Sequence, residues 1–369
     1  MTALRVVCAP DSFKGSLSAP AAAAALAAGA RRAGATAVEH PIADGGEGTA
    51  EALLAAVGGG WVAAPAVDPL GRELQSRYAL LADGTAVVEL ALASGLTLLA
   101  PSERDPLVAS SLGTGLVLRQ ALEAGHTVIL ALGGSATVDG GAGVLVGLGA
   151  RLLDADGQTL APSGAALEFV TRVDLEPLPA AWRGRVRVAC DVDSPLLGPA
   201  GAAAVFGPQK GADPEGVTLL ERGLSAWAEV LGGDATAPGA GAAGGVGFAL
   251  AAALDAELLS GAELVLDASG FAAALEGAQL CLTGEGRLDG QTATGKAPWA
   301  VAQACRRAGV TPIAIAGSLG PGAAALCGPD GFAEVYSAQS DLSLEQALAQ
   351  AEALLAAQAE QVVRRFARR

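Results

Sequence analysis

The fold is decided by a short apolar run near the start of the sequence, Leu4-Arg5-Val6-Val7-Cys8-Ala9, and by the polar loop after it, Pro10-Asp11-Ser12-Phe13-Lys14-Gly15-Ser16. An apolar run of this length, followed by a loop, predicts a buried β-strand. The alanine-rich segment from Ser18 to Ala33 predicts a helix, and Gly34 is a typical stop signal. A strand, a polar loop and a helix in this order indicate the start of a βαβ unit.

The same order occurs elsewhere in the chain. Val38 to Ile42 predicts a second strand, and Glu47 to Val57 predicts a second helix. Towards the other end, Gln279–Thr283 and Thr311–Ala316 predict strands on either side of a helix from Lys296 to Ala308. This alternation predicts a Rossmann-like parallel sheet whose ligand loops follow the carboxyl ends of its strands.

The middle of the chain has a different pattern. Three strand-like segments separated by short turn sequences predict an antiparallel meander: Val62–Val67, Glu73–Leu81 and Ala86–Leu90. A helix and two strands are predicted after it, at Ser111–Ala124, Thr127–Leu132 and Arg185–Ala189. We therefore predict an α/β fold in which a Rossmann-like parallel-sheet domain (residues 1–60 plus 262–369) carries an inserted α/β domain (residues 61–261). The active site is expected in the cleft between them.

Composition limits the class of function. The 369 residues carry a formal charge of −15, which argues against a nucleic-acid partner because no basic stripe could neutralise a run of phosphates. The apolar stretch from Thr127 to Ala150 is interrupted by Asp139 and by glycines, so it predicts a buried strand, loop and helix rather than a membrane span. Five cysteines without CxxC spacing indicate a reducing compartment. No signal peptide is recognisable, and we expect a cytoplasmic protein without a membrane partner.

The lysines are few and share a context. The chain has three, Lys14, Lys210 and Lys296, and each adjoins a glycine in a loop-like motif. An ammonium group beside exposed backbone N–H groups suits the binding or transfer of a phosphate. Chance is the alternative, because glycine is abundant at 51 residues.

Two other glycine-rich or turn-like loops hold carboxylates. In Ala43-Asp44-Gly45-Gly46-Glu47-Gly48-Thr49, the two acids precede a predicted helix, where they could also serve as caps. In Cys190-Asp191-Val192-Asp193-Ser194-Pro195, two carboxylates stand two residues apart and would face the same way in extended chain. Hard oxygen ligands of this kind suit Mg²⁺ bridging phosphates, or a general base for a hydroxyl. A solvated turn is the alternative.

Two further loops have the composition of anion-binding sites. The segment Gly133-Gly134-Ser135-Ala136-Thr137-Val138-Asp139-Gly140-Gly141 joins a predicted strand to an apolar helix and could form a nest of N–H donors, unless its glycines serve packing alone. The segment from Gly290 to Lys296 imitates a Walker A loop, but Ala297 replaces the hydroxyl residue that binds Mg²⁺. We therefore do not expect a true P-loop.

Histidine and cysteine chemistry can be set aside. His40 is predicted inside a strand and His126 before one, where such residues usually have structural roles. Zinc-type His/Cys spacing is absent from the sequence. Carboxylates, lysines, hydroxyls and backbone amides remain, and phosphoryl transfer is the main reaction class that can use that set together with Mg²⁺.

The ordered motifs closely resemble the bacterial type-1 glycerate kinases, which include glycerate 2-kinases. The resemblance runs from Arg5 to about Ser318 and rests on six segments. Four are the loops quoted above that contain Asp11, Asp44, Asp139 and Asp191. The other two are Phe206-Gly207-Pro208-Gln209-Lys210-Gly211 and Thr283-Gly284-Glu285-Gly286-Arg287-Leu288-Asp289. It implies ATP-dependent phosphorylation of D-glycerate, usually at the 2-hydroxyl, with ATP and Mg²⁺ as cofactors. It also implies a two-domain α/β fold with a Rossmann-like part.

The resemblance and the residue chemistry together suggest roles. The candidate catalytic residues are Lys14, Asp44, Asp191 and Lys296. The candidates for binding the acid are Ser12, Glu285, Arg287 and Asp289, with the Arg287 guanidinium suited to a carboxylate. The candidates for binding nucleotide phosphates are Gly133, Gly134, Ser135, Thr137 and Lys210, and those for Mg²⁺ are Asp191 and Asp193. Which carboxylate binds metal and which accepts the hydroxyl proton is left open.

Several alternatives remain at this stage. The chain could be a glycerate 3-kinase, a kinase of another small hydroxy acid, or a P-loop-like ATPase that needs no acid. A non-catalytic binding protein is less favoured because the loops keep their carboxylates. The oligomeric state is left open, with a homodimer as one option.

Overall fold

The computed structural model describes residues 4–338 and 342–368. Its strands are β1 (Arg5–Cys8), β2 (Thr36–Glu39), β3 (Gly59–Val67), β4 (Glu73–Leu81), β5 (Ala86–Glu89), β6 (Val128–Ala131), β7 (Arg151–Leu153), β8 (Arg172–Asp174), β9 (Val186–Cys190), β10 (Glu257–Ser260), β11 (Leu280–Thr283), β12 (Arg287–Leu288), β13 (Thr311–Ala316), β14 (Ser318–Leu319) and β15 (Glu334–Ser337). Its α-helices are α1 (Ala19–Arg32), α2 (Thr49–Val57), α3 (Ala91–Ser94), α4 (Leu112–Glu123), α5 (Ala142–Leu148), α6 (Ala202–Phe206), α7 (Pro214–Leu231), α8 (Val246–Leu254), α9 (Gly261–Ala268), α10 (Phe271–Ala274), α11 (Ala297–Arg307), α12 (Leu344–Ala349) and α13 (Ala351–Phe366).

The chain divides into two compact units. Unit 1 comprises Met1–Asp44, Glu51–Gly58 and Ser260–Arg369, and unit 2 comprises Gly45–Ala50 and Gly59–Leu259. Each unit has its own β-sheet. The expected location of the active site between two domains stays a prediction.

Unit 1 is built on a five-stranded sheet in the order β15-β13-β11-β1-β2, and every neighbouring pair in it is parallel. The Rossmann-like prediction is therefore confirmed. The helices α1 and α11 make the crossovers β1–α1–β2 and β11–α11–β13. The chain leaves β1 towards one edge of the sheet and continues from β11 towards the other, so the strand order reverses between these two central strands. In open α/β sheets ligands bind at such a reversal, beyond the carboxyl ends of the strands.

Alternation along the strands explains why helices cover both faces of this sheet. Ile313 and Ile315 on β13 join a core cluster with residues of α1 and α13, whereas Ala314 and Ala316 join a cluster with residues of α11. Successive side chains of a strand point to opposite faces, so both faces must be apolar. The small side chains let the helices lie close, most clearly where α1 packs on α13 at Gly29. A Cβ on Gly29 would lie 2.1 Å from the Ala356 carbonyl oxygen.

One strand of unit 1 is shifted from its prediction. The predicted strand from Val38 to Ile42 is β2 at Thr36–Glu39, so His40 follows the strand instead of lying inside it. Apolar character misled the prediction, because Ile42 is fully buried although it lies beyond the strand. His40 and Ile42 still donate backbone N–H groups to the carbonyls of Cys8 and Pro10, which continues the course of β2 beside β1.

Unit 2 contains a six-stranded mixed sheet in the order β10-β9-β6-β5-β4-β3. The pairs β3–β4 and β4–β5 are antiparallel, which confirms the predicted meander. The pairs β5–β6 and β6–β9 are parallel, and the carboxyl ends of β6 and β9 both lead into loops of the predicted site. Among the helices of residues 4–338 and 342–368, none combines the length and the apolar character needed to cross a bilayer.

Candidate active site

A cavity of about 380 Å³ lies in unit 1 and is lined by the loops that follow β1 and β11. Its polar lining residues are Asp11, Ser12, Lys14, Ser16, Asp44, Glu285, Arg287, Lys296 and Ser318. Apolar residues of α12 and α13 form another part of its wall, among them Leu344, Leu348 and Leu354. The cavity therefore brings together two ammonium groups, a guanidinium and three carboxylates. It stands beyond the strands where the sheet order reverses.

The loop after β1 is a tight turn that carries Lys14. Phe13 pairs with Leu17 across the turn, and Gly15 has a φ of +82°, a conformation that favours glycine. The buried Phe13 ring anchors the turn, while Lys14 between these residues is exposed. Lys14 is therefore held on a fixed backbone with its side chain available to a ligand.

Burial and neighbouring negative charges raise the pKa of two carboxyl groups in this cavity, Asp11 and Glu285. Burial, followed by the negative charge of Asp44, raises the pKa of Asp11 to about 8, against the opposing effects of the Ser12 N–H and Lys14. Burial also raises the pKa of Glu285, while Thr292 and Lys296 oppose that shift. Carboxyl groups with raised pKa values in a cavity are typical of catalytic sites.

The loop after β11 connects Glu285 to Lys296. The Thr292 hydroxyl donates a 2.8 Å hydrogen bond to Glu285 Oε1, and Lys296 Nζ lies 3.3 Å from Glu285 Oε2. Both oxygens of Glu285 are thus engaged. The contacts of Glu285 with Thr292 and Lys296 position the Lys296 side chain and the short helical turn at Gly290–Thr294. The role in binding the acid that the sequence suggested for Glu285 stays a prediction.

Arg287 and Asp289 occupy different positions in this loop. Arg287 lines the cavity with an exposed side chain, and its Nε lies 3.5 Å from Asp289 Oδ2. Asp289 is outside the cavity lining and caps the turn that begins at Gly290, where its Oδ1 accepts the Gln291 N–H at 3.0 Å. Lys296 itself stands at the N-cap of α11. A capped turn thus separates Gly290 from the start of the helix.

A second cavity, of about 370 Å³, lies within unit 2. It is lined by the loops after β6 and β9 and by the segment that holds Lys210. The sequence-predicted residues in its lining are Gly133, Gly134, Ser135, Asp191 and Lys210. Phe206, Gln209 and Ala243 also contribute to it.

Lys210 is a buried cation in this cavity. Its Nζ donates hydrogen bonds of 2.7 Å to the Ser135 hydroxyl and to the Thr137 carbonyl oxygen. Within the part of the chain that the structure describes, no acceptor is found for its third N–H. Burial lowers the pKa of Lys210 to about 7, and the negative charge of Asp139 partly offsets this effect. An incoming anion would stabilise the protonated form.

Asp139 fixes the glycine-rich loop that lines this cavity. Its fully buried carboxylate accepts N–H groups from Ser111, Gly141 and Gly143, at 2.7, 3.1 and 3.2 Å. The Ser111 hydroxyl also lies within 3.0 Å of both of its oxygens. Asp139 lies in the Gly133–Gly141 motif but was not predicted as a site residue. Two of its four hydrogen-bond donors belong to Ser111, which is 28 residues away, so the local sequence could not reveal its role in fixing the loop.

The glycines at the start of this loop allow a second segment to come close. A Cβ on Gly133 would lie 2.5 Å from Gly46 Cα, and one on Gly134 would lie 2.3 Å from Glu47 Oε1. Packing therefore accounts for both glycines, and their predicted role in phosphate binding stays a prediction. The first turn of α2 is capped in part by Glu89, whose Oε1 accepts the Ala50 N–H at 2.7 Å. Glu89 lies 39 residues away in sequence, so the local pattern could not reveal this cap.

His40 and three of the five cysteines lie in structural surroundings. His40 Nε2 lies 2.9 Å from the Ser269 hydroxyl, and burial lowers the pKa of His40 to about 4. Cys8, Cys281 and Cys305 are buried free thiols. Within residues 4–338 and 342–368, no group of three or more His, Cys, Asp or Glu side chains is arranged to hold a metal ion.

Comparison with known proteins decides the family. The family model described as the glycerate kinase family matches residues 6–367. The chain belongs to the glycerate kinase family. The resemblance predicted from Arg5 to about Ser318 is thus confirmed over an even longer part of the chain.

Individual relatives support the assignment of this chain to the glycerate kinase family. The glycerate kinase of Bacillus subtilis (strain 168) is 44% identical over 326 residues, which cover 86% of this chain and 85% of that protein. The glycerate 2-kinase of Escherichia coli (strain K12) is 45% identical over 326 residues, which cover 86% of each. A crystal structure of a Salmonella typhimurium LT2 protein assigned as glycerate kinase 2 matches with a TM-score of 0.87 at 42% identity, over 99% of this chain and 98% of that one. The chain is therefore an enzyme of the phosphotransferase class that uses an alcohol acceptor.

The donor set in unit 2 fits a magnesium ion. Asp191 lines the second cavity, whereas Asp193 is exposed outside its lining. Burial is the main cause that raises the pKa of the Cys190 thiol, and the negative charges of Asp191 and Asp193 raise it further. Both carboxylates follow the carboxyl end of β9 and are open to solvent. Mg²⁺ commonly binds one or two carboxylates, several waters and substrate phosphates, and needs no cage of protein ligands. Two solvent-open carboxylates on one loop are compatible with that mode of binding, and the roles of Asp191 and Asp193 in binding Mg²⁺ stay a prediction.

Proposed function

We propose that this chain is an ATP-dependent glycerate kinase that phosphorylates D-glycerate, most simply at the 2-hydroxyl. The observation that carries the proposal is the unit 1 cavity, where Lys14 and Lys296 line the same space as Asp11, Asp44 and Glu285. Phosphoryl transfer needs cations for the developing charge and an acceptor for the hydroxyl proton, and this cavity offers both. The 2-position is supported by the E. coli relative, which is named a glycerate 2-kinase.

The acid is assigned to unit 1. Arg287 presents an exposed guanidinium at the cavity, and a guanidinium pairs with a carboxylate through two parallel hydrogen bonds. Ser12 lines the same cavity and can donate or accept a hydrogen bond to a substrate hydroxyl. Lys14 is the exposed cation available to the transferring phosphoryl group, and Lys296 is held beside the cavity by Glu285.

The nucleotide phosphates are assigned to unit 2. Lys210 is buried against Ser135 and Thr137 with an N–H to spare among the described residues, so it can contribute a hydrogen bond and a charge to a bound phosphate. Thr137 contributes its carbonyl oxygen to Lys210, while its own buried Oγ1 lies outside the cavity lining, so a direct contact of this hydroxyl with a phosphate stays a prediction. Asp191 and Asp193 would hold Mg²⁺. When bound, this ion supplies positive charge to the phosphate oxygens.

A kinase of another small hydroxy acid is the alternative that the cavity favours. At about 380 Å³ the cavity is larger than a three-carbon acid requires, and its α12–α13 wall is apolar. A longer acid with an apolar tail would bury that tail against Leu344 and Leu348. Competition between D-glycerate and longer 2-hydroxy acids separates the two candidates.

The test is an ADP-release assay with ATP and Mg²⁺, with and without D-glycerate. We expect turnover that saturates with the acid and is negligible without it. Turnover that does not depend on the acid would favour an ATPase and would refute the kinase proposal. Binding of the acid without ADP release would favour a non-catalytic binding protein.

A further inference from the structure

Asp11 occupies a fixed position at the end of β1. Its backbone N–H donates a 2.9 Å hydrogen bond to the Gly284 carbonyl oxygen, which ties the loops after the two central strands together. Its side chain is 9% exposed and lines the unit 1 cavity. Burial of an ionised carboxylate costs free energy unless hydrogen bonds or a nearby cation compensate for the lost hydration.

The hydrogen bonds of Asp11 leave one of its oxygens available. Oδ1 accepts the Ser12 N–H at 2.6 Å, and no donor among the described residues reaches Oδ2. Glu285 differs, since its two oxygens contact Thr292 and Lys296. Asp11 is therefore the buried carboxylate of this cavity with an oxygen left for a ligand.

The charged groups around Asp11 come from three loops. They are Lys14 from its own loop, Asp44 from the loop after β2, and Glu285, Arg287 and Lys296 from the segment after β11. The α12 and α13 wall contributes leucines and alanines to the lining. The carboxylates Asp44 and Glu285 disfavour a negative charge on Asp11, and Lys14 favours it.

We propose that Asp11 is the general base of the phosphoryl transfer, with Oδ2 accepting the proton of the acceptor hydroxyl. This role rests on the proposed function. As the hydroxyl oxygen bonds to the terminal phosphorus of ATP, the bond from that phosphorus to its bridging oxygen breaks and ADP leaves. The O–H proton passes to Oδ2, and after product release it passes to solvent. Atoms and charge balance without a further reactant.

The surroundings of Asp11 suit a base better than those of Asp191. A base works best when its pKa is close to the working pH, and burial beside Asp44 and Glu285 raises the pKa of Asp11 towards that range. Asp191, in contrast, is exposed in unit 2. A general base must be ionised to accept a proton, and this requirement sets the direction in which turnover changes with pH. Turnover should rise with pH as Asp11 loses its proton.

The test compares Asp11→Asn and Asp44→Asn with Asp330→Asn, a matched change at an exposed turn outside the cavity. For Asp11→Asn we expect kcat to fall by on the order of 10²–10⁴, with little change in the KM for the acid and loss of the rise with pH. For Asp44→Asn we expect that rise to move to lower pH, because a repelling charge is removed. Asp330→Asn should match the wild type in rate and profile.

A direct titration makes the test independent of kinetics. Carboxyl ¹³C NMR of the wild-type protein should show an Asp11 resonance titrating well above the ordinary range for aspartate, assigned through its backbone. If Asp11→Asn folds poorly by circular dichroism, Asp11→Glu replaces it, and we expect partial activity with the pH rise retained.

The outcomes separate the base role from the function. A wild type that releases ADP in response to the acid, while Asp11→Asn keeps the rate and the pH rise, would refute the base role alone. An Asp11 resonance titrating near pH 4 would refute it as well. A wild type without acid-dependent ADP release would refute the proposed function and the base role together.

Discussion

At the scale of single residues, Lys14 tests the assignment of the acid site. Replacing Lys14 by Ala removes an exposed cation from the cavity while the turn around it is kept by Phe13 and Gly15. We expect kcat to fall by on the order of 10²–10³, the usual effect of losing one preorganised electrostatic group. Arg119→Ala is the control, because it removes an exposed cation that pairs with Glu123 on α4. Near-normal turnover of Lys14→Ala would contradict the role given to Lys14.

Lys210 predicts how nucleotide affinity depends on pH. Its pKa is lowered to about 7, so the free protein loses this charge as the pH rises above neutrality. An anion binds the protonated form, and the affinity for ADP should therefore fall by on the order of tenfold between pH 7 and pH 9. Titration calorimetry at the two pH values measures this. Lys210→Met should bind ADP more weakly and lose most of the dependence, and an unchanged pH slope in that variant would place the nucleotide elsewhere.

The sequence pointed to candidate residues but not to their contacts. Lys14, Asp44 and Lys296 were grouped with Asp191 as catalytic candidates, and the first three line the unit 1 cavity whereas Asp191 lines the unit 2 cavity. Their catalytic roles stay a prediction. The contacts of Glu285 with Thr292 and Lys296, and of Asp139 with Ser111, depend on tertiary packing. No local pattern encodes such pairs. The raised pKa of Asp11 likewise depends on burial, which the sequence of its loop does not reveal.

At the scale of elements, the close contact of α1 with α13 leads us to expect that a Gly-to-Ala change in a helix lowers the free energy of unfolding instead of raising it. Ala in place of Gly within a helix usually stabilises a protein by about 0.5–1 kcal/mol. A Cβ on Gly29 would instead lie 2.1 Å from the Ala356 carbonyl oxygen and 2.8 Å from Ala359 Cβ. We expect Gly29→Ala to lower the free energy of unfolding by about 1–3 kcal/mol, measured by urea denaturation.

Gly60→Ala is the matched control for this change. Gly60 lies in β3, and a Cβ there would meet nothing within 4 Å, so we expect a change within about 0.5 kcal/mol. Because α13 also contributes Leu354 and Leu355 to the unit 1 cavity, Gly29→Ala should weaken binding of the acid as well. Stabilisation by Gly29→Ala would show that the two helices do not pack as described.

Elements were predicted well where apolar character and pairing coincide. The bounds of β13 and β4 agree with the predicted Thr311–Ala316 and Glu73–Leu81. The bounds of β2 do not, because Ile42 is buried outside the strand. Pairing direction was harder to predict. The antiparallel meander follows from its short turns, whereas the parallel pairs of β5, β6 and β9 connect segments separated by long stretches of chain.

At the scale of the whole molecule, the metal should be needed for catalysis and not for the fold. Each unit has its own apolar core, and the described residues hold no cluster of three or more metal-ligand side chains. Chelation with EDTA should therefore abolish turnover, leave the Tm unchanged, and be reversed by MgCl₂. A large fall in Tm on chelation would indicate a structural metal, and turnover that survives chelation would remove Mg²⁺ from the proposal.

We propose that this chain transfers a phosphoryl group from ATP to glycerate. The most direct measurement is ³¹P–¹H NMR of the product formed from ATP, Mg²⁺ and D-glycerate, with ADP release followed in parallel. We predict 2-phosphoglycerate in a one-to-one ratio with ADP. Formation of 3-phosphoglycerate would keep the kinase but contradict the choice of hydroxyl, and ADP formed without any phosphorylated acid would contradict the claim itself.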